Sequence, residues 1–130
     1  MELSENKEII VSEPETPAPG RFPSKLFVET TTRCNLRCRM CVKQSRENGI
    51  TDGDISGETF EALKPEFPHL EALMLNGIGE PLLHPELEYF IAAAKKDLPD
   101  TAWVGFQSNG RLLDAARSAC MIIRSAATAI

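Results

Sequence analysis

Three short runs of β-branched, aromatic and aliphatic residues alternate along this chain with stretches of helical periodicity, and that alternation restricts the fold more than any single motif. Leu26-Phe27-Val28-Glu29-Thr30-Thr31 reads as a first strand, bounded by Pro23 on one side and a cysteine-bearing loop on the other. Leu70-Glu71-Ala72-Leu73-Met74-Leu75-Asn76 is mostly apolar and reads as a second strand, buried on both faces. Thr101 to Gln107, with Ala102, Trp103, Val104 and Phe106, reads as a third. Between the first two, Ser56 is placed to cap a helix from Gly57 to about Lys64, which Pro65 and Pro68 stop. Pro85 suits the first turn of a second helix reaching about Lys96, whose Leu87, Phe90, Ile91 and Ala94 share one face. From Leu112 onward an alanine-rich run reads as a third helix. Strands alternating with helices predict the α/β class, with parallel strands joined by right-handed crossover helices. In such sheets functional groups collect at the C-terminal ends of the strands.

A chain of 130 residues is long enough for one domain with its own core and too short for two. Residues 1–24 carry Glu2, Glu5, Glu8, Glu13 and Glu15, followed by Pro14, Pro17, Pro19 and Pro23, and read as a disordered Pro/Glu-rich leader. The domain proper is expected over 25–130. A formal net charge of −5 gives no reason to expect nucleic acid as a partner. No apolar run approaches a membrane span and no basic-then-apolar signal opens the chain, so a cytoplasmic location is expected.

Three of the four cysteines fall in Cys34-Asn35-Leu36-Arg37-Cys38-Arg39-Met40-Cys41, spaced C-x3-C-x2-C directly after the first strand. In a reducing compartment such clusters are metal ligands or catalytic groups before they are disulfides. Thiolates select soft or borderline metals, leaving zinc and iron–sulfur as candidates. Structural zinc asks for a fourth ligand, and Cys120, His69 and His84 are all remote from the loop. An iron–sulfur cubane held by three cysteines instead keeps one iron open to a small molecule. Two further polar breaks follow the other strands: Gly77-Ile78-Gly79-Glu80-Pro81 after the second, and Ser108-Asn109-Gly110 after the third.

With these three motifs in order, residues 26 to 111 resemble the radical S-adenosylmethionine (radical SAM) enzymes. The cysteine loop looks like that family's signature, Gly77–Pro81 resembles its glycine-glycine-glutamate motif in the GxGEP form, and Ser108–Gly110 resembles the polar turn often found after the next strand. The resemblance implies a partial (β/α) TIM-like barrel representing the N-terminal part of the core domain. It implies that Cys34, Cys38 and Cys41 ligate a 4Fe–4S cluster, with S-adenosylmethionine chelating the fourth iron. Reductive cleavage would then give a 5′-deoxyadenosyl radical that abstracts hydrogen from a substrate the residues do not name. Gly77 and Gly79 would let backbone approach the methionyl group, Glu80 would accept from its ammonium, and Ser108 and Asn109 would bind ribose hydroxyls or the carboxylate; Pro81 completes the motif. Met40 stands where the family often has an aromatic against the adenine.

Plainer readings stand beside these. Glu80 can be a solvated turn carboxylate, and Ser108 and Asn109 simple turn formers. His84 reads as a helix-entry residue, His69 as a surface residue and Cys120 as a small core or interface residue. Arg33, Arg37, Arg39, Lys43 and Arg46 make the loop basic, which suits an anionic cluster or an acidic flavodoxin- or ferredoxin-type electron donor, or is solvated loop charge. The last stretch has no following strand and no evident amphipathic pattern, so a truncated product is expected. The alternative to an enzyme is a non-catalytic metal-binding module, holding zinc or an inactive cluster.

Overall fold

The computed structural model describes residues 22–45 and 49–125. The expected leader before Phe22 and the cation Arg46 lie outside the described residues.

The sheet has three parallel strands: β1 (Lys25–Phe27), β2 (Ala72–Met74) and β3 (Trp103–Gly105), in the order β1-β2-β3. Leu26 pairs with Leu73 and Leu73 with Val104. The ladder runs one residue beyond each strand, with Val28 N–H donating to Met74 O at 2.8 Å and Leu75 N–H to Gly105 O at 2.8 Å. Helix α1 (Gly57–Leu63) lies between β1 and β2, α2 (Leu87–Asp97) between β2 and β3, and α3 (Ala115–Ser125) follows β3. This is the predicted α/β arrangement.

The central strand is apolar because both its neighbours and the helices cover it. Leu73 and Leu75 are fully buried, with Val28 beside them, against Phe60 of α1, Phe67, and Leu87, Phe90 and Ala94 of α2. Phe60 stacks on Phe90 with centroids 4.2 Å apart and meets Phe67 edge-on at 5.6 Å. The face of α2 read from helical spacing is the face that is buried. Alternation along the strands puts Phe27, Met74 and Trp103 on the opposite face of the sheet, where Phe27 is 68% and Trp103 52% exposed. In a closed β/α barrel that face points inward.

The element ends differ from the predicted ones for local reasons. Ser56 caps α1 as expected, its Oγ accepting from Thr59 N–H at 3.1 Å. Pro65 and Pro68 end the α-helix but not the coil, which tightens into a 3₁₀ turn over Lys64–His69. Helix α2 begins at Leu87, with Pro85 in the turn before it. Helix α3 begins at Ala115 rather than Leu112. Gly110 takes a positive φ of 76°, and Asp114 Oδ1 caps the helix by accepting Arg117 N–H at 2.7 Å. Contrary to the sequence expectation, α3 is amphipathic. It docks on α2, where Arg117 Nε meets Glu88 Oε1 at 2.7 Å. His69 is exposed as expected, with Phe22 stacked on its ring at 3.6 Å.

The predicted first strand leaves the ladder early because its end pairs elsewhere. Thr31 bridges antiparallel to Asp54, Ile55 N–H donates to Thr30 O and Thr32 N–H to Gly53 O, both at 2.9 Å. The segment read as a polar loop after Lys43 therefore returns and pins the base of the cysteine loop.

Candidate cofactor and metal site

Parallel strands deliver their C-terminal ends to one edge, and all three motifs are found there. The first is held from behind. Arg33 lays its guanidinium along Asp54, Nε to Oδ1 at 3.0 Å and Nη2 to Oδ2 at 2.8 Å, and Nη2 also donates to Leu83 O at 2.9 Å. Thr31 Oγ1 donates to Asp54 Oδ1 at 2.5 Å and accepts from Arg33 N–H at 3.1 Å. Lys43 Nζ reaches Thr32 O and Asp52. The start of the cysteine loop is thus buckled to residues 52–54 and to the turn after Glu80.

The Asp54 carboxyl sits below the ordinary carboxylate value near 3.8, first because of its hydrogen bond from Arg33 and then that from Thr31, against some desolvation. A carboxyl lowered on folding contributes stability above its unfolded value, and that contribution disappears as pH falls through the folded value. Both side chains are partly exposed, Arg33 at 39% and Asp54 at 29%, so solvent screening keeps the effect modest. Stability should therefore fall below about pH 4, measured as a chemical-denaturation midpoint across pH. Asp54→Asn should flatten that slope; an unchanged slope would remove Asp54 from the acid response.

The second motif is folded against the first. Glu29 Oε1 accepts Ile78 N–H at 2.8 Å, and Glu80 N–H donates to Arg33 O at 2.8 Å. A Cβ on Gly77 would sit 2.2 Å from Glu29 Oε1, and one on Gly79 would sit 2.2 Å from Thr31 O and 2.6 Å from Arg33 O. The close approach these glycines permit in the structure is thus to the chain's own first strand and loop.

Glu80 joins the second motif to the third. Its side chain is buried, at 2% exposure. Oε1 accepts from Leu82 N–H at 3.1 Å and from Ser108 Oγ at 2.7 Å, and Oε2 accepts Asn109 N–H at 2.8 Å. Asn109 Nδ2 in turn donates to Asn35 Oδ1 at 2.8 Å, across 74 positions of sequence, tying the third motif to the cysteine loop. Pro81 follows, buried, opening the 3₁₀ turn Pro81–Leu83. Glu80 is therefore no solvated turn carboxylate.

Cys34 and Cys41 are partly buried and Cys38 is exposed, the last two joined by Cys41 N–H donating to Cys38 O at 3.0 Å. Among the described residues, no three Cys, His, Asp or Glu side chains converge as a metal-holding group. Met40 is 96% exposed and projects into solvent. Cys120 is partly buried in α3.

Sequence reading missed three groups here. Asp54 is one, hidden in a polar loop. Buried Thr30 Oγ1 and Asn76 Oδ1, at the ends of the first two strand segments, have no hydrogen-bond partner in the structure. Asn76 carried a signal, a polar residue closing an apolar run just before the Gly77 turn. His84 keeps its helix-entry role: Glu86 N–H donates to Nδ1 at 3.0 Å, which places the ring proton on Nε2, 2.9 Å from Ile55 O.

No family model matches the chain. It is 37% identical over 91 residues, 68% of its length, to the tungsten-containing aldehyde ferredoxin oxidoreductase cofactor-modifying protein of Pyrococcus furiosus. It is 33% identical over 97 residues to a probable GTP 3',8-cyclase of Archaeoglobus fulgidus, and 32% identical over 104 residues to the GTP 3',8-cyclase of Aliarcobacter butzleri. The chain spans 24%, 30% and 29% of these relatives' own lengths. The crystal structure of BtrN in complex with AdoMet and 2-DOIA superposes with a TM-score of 0.69 over 81% of this chain and 43% of that one, at 22% identity. The BtrN structure in an open conformation gives 0.68. Over the matched span the chain resembles the radical SAM family.

The resemblance covers part of those proteins, and the fold is a partial TIM-like barrel. The donor set suits the cofactor of that family. Three thiols on one loop match a cubane with one open iron, whereas structural zinc would need a fourth ligand. Among the described residues, no helix is long and apolar enough to cross a membrane.

Proposed function

We propose that this chain forms the cofactor-binding part of a radical SAM enzyme. Cys34, Cys38 and Cys41 would hold a 4Fe–4S cluster, and the edge formed by Met40, Gly77, Gly79, Glu80, Pro81, Ser108 and Asn109 would receive S-adenosylmethionine. When bound and reduced, the cluster supplies the electron that cleaves the sulfonium to a 5′-deoxyadenosyl radical for hydrogen abstraction from the substrate. The observation that carries this reading is the set of bonds from Glu80 to Arg33, Ser108 and Asn109, and from Asn109 to Asn35, which joins all three motif loops into one edge.

The chain's own residues do the positioning. Arg33, Asp54 and Lys43 fix the base of the cysteine loop while its tip stays open to close on a cluster. Gly79 lets the glutamate turn press against that base, bringing Glu80 beside it. BtrN was crystallised in complex with AdoMet, and the shared fold supports the same ligand here. Arg37 and Arg39, both exposed, suit docking of an acidic flavodoxin- or ferredoxin-type reductant. Thiol ligands of this kind suit the reducing cytoplasm.

Anaerobic reconstitution tests the proposal. About four irons and four sulfides per chain are expected, with an electron paramagnetic resonance signal altered by S-adenosylmethionine. One tightly bound zinc and no sulfide would instead establish the non-catalytic metal-binding module.

A further inference from the structure

The family resemblance gives Ser108 a ribose hydroxyl or the ligand carboxylate to bind, but the hydrogen bonds give it something else. A hydroxyl has one proton, and that of Ser108 is donated to Glu80 Oε1 at 2.7 Å, while its Oγ accepts Gly110 N–H at 2.9 Å. It has no donor left for a ribose oxygen. Glu80 is close to saturation too. Each carboxylate oxygen offers about two acceptor positions. Leu82 N–H and Ser108 fill those of Oε1, and Asn109 N–H fills one on Oε2. One position on Oε2 remains, suited to a single cationic N–H.

We propose that Ser108 is a positioning residue for the amino-acid arm of the ligand: by holding Oε1 it fixes the rotation of the Glu80 carboxylate and leaves Oε2 as the one acceptor for the ligand ammonium. Without the hydroxyl, the carboxylate keeps two backbone donors but loses the side-chain bond that opposes its rotation. This inference rests on the proposal that S-adenosylmethionine binds at this edge, and it has Ser108 act through Glu80 rather than on the ligand itself.

Two probes separate the ends. S-adenosylhomocysteine and 5′-methylthioadenosine share the adenosine and the thioether, and only the first carries the amino-acid arm. Equilibrium binding of each to the full chain, reconstituted anaerobically, should show Ser108→Ala weakening S-adenosylhomocysteine about tenfold, the scale of one charge-assisted hydrogen bond. Affinity for 5′-methylthioadenosine should be unchanged. Ser108→Thr, which keeps the hydroxyl, should restore the first affinity. On a Glu80→Gln background, Ser108→Ala should add little to the loss. Should Ser108→Ala not fold, Ser108→Cys weakens the donor at nearly constant shape and reads the same contrast. Equal loss for both probes, or loss for neither, overturns the positioning role. A wild-type chain that binds neither probe removes the ligand site itself, and the two failures are thereby told apart.

Discussion

Cys38→Ala leaves the reconstituted chain without its cluster: iron and sulfide fall from about four each per chain to background, while Cys120→Ala retains both. In the proposed ligand set of three thiols, losing one leaves two where a cubane needs three. Cys38 is also the exposed member, between Cys34 and the turn that closes on Cys41, so its truncation disturbs no packing. The loss should therefore appear in metal content and absorbance with the far-ultraviolet circular dichroism unchanged. Cys120 is the matched control, a partly buried thiol in α3. Equal loss from both variants would show that the ligand set is wrong.

Gly79→Ala should carry the largest stability cost of any single methyl group added at this edge. The new Cβ would meet Thr31 O at 2.2 Å and Arg33 O at 2.6 Å, both backbone atoms, the second of which already accepts Glu80 N–H. Main-chain atoms cannot step aside as a side chain would, so the cost belongs at the top of the range for overpacking, about 3 kcal/mol. For a domain of this size that lowers the melting temperature by roughly 12 °C or more. Gly77→Ala is the comparison. The atoms nearest its Cβ belong to the Glu29 side chain, which can rotate away at the loss of its bond to Ile78 N–H, about 1 kcal/mol. Thermal melts of the two variants should be clearly separated; coincident melts would mean that the glutamate turn is not pressed against the cysteine loop.

The parts of this fold that were legible in the sequence are those with a period or a punctuating residue. The buried face of α2 followed from Leu87, Phe90, Ile91 and Ala94, and the three strands from apolar runs bounded by proline or glycine. The cap on α1 followed from Ser56. What stayed hidden depends on contacts between distant positions. The pairing of Gly53–Ile55 with Thr30–Thr32 has no local signature, and neither does the Arg33–Asp54 buckle. Each residue there looks like ordinary loop polarity until the fold brings the two segments together. Glu80 shows the same limit at the site. Its place in the motif was readable, but its bonds to Ser108, Asn109 and Leu82 require three separate segments to meet. The amphipathic character of α3 was masked by its alanine content, since small residues blur the contrast between its faces.

The order of the strands has a consequence for how the edge is made during synthesis. Because β1, β2 and β3 lie side by side in the order in which they are translated, each strand meets its partner already exposed outside the ribosome. No strand has to wait for a later one to be inserted between two earlier neighbours. The order of emergence from the ribosome is therefore the order of the strands across the sheet. The last bonds of the cofactor edge, from Ser108 and Asn109 to Glu80 and Asn35, become possible as soon as Gly110 has cleared the exit tunnel.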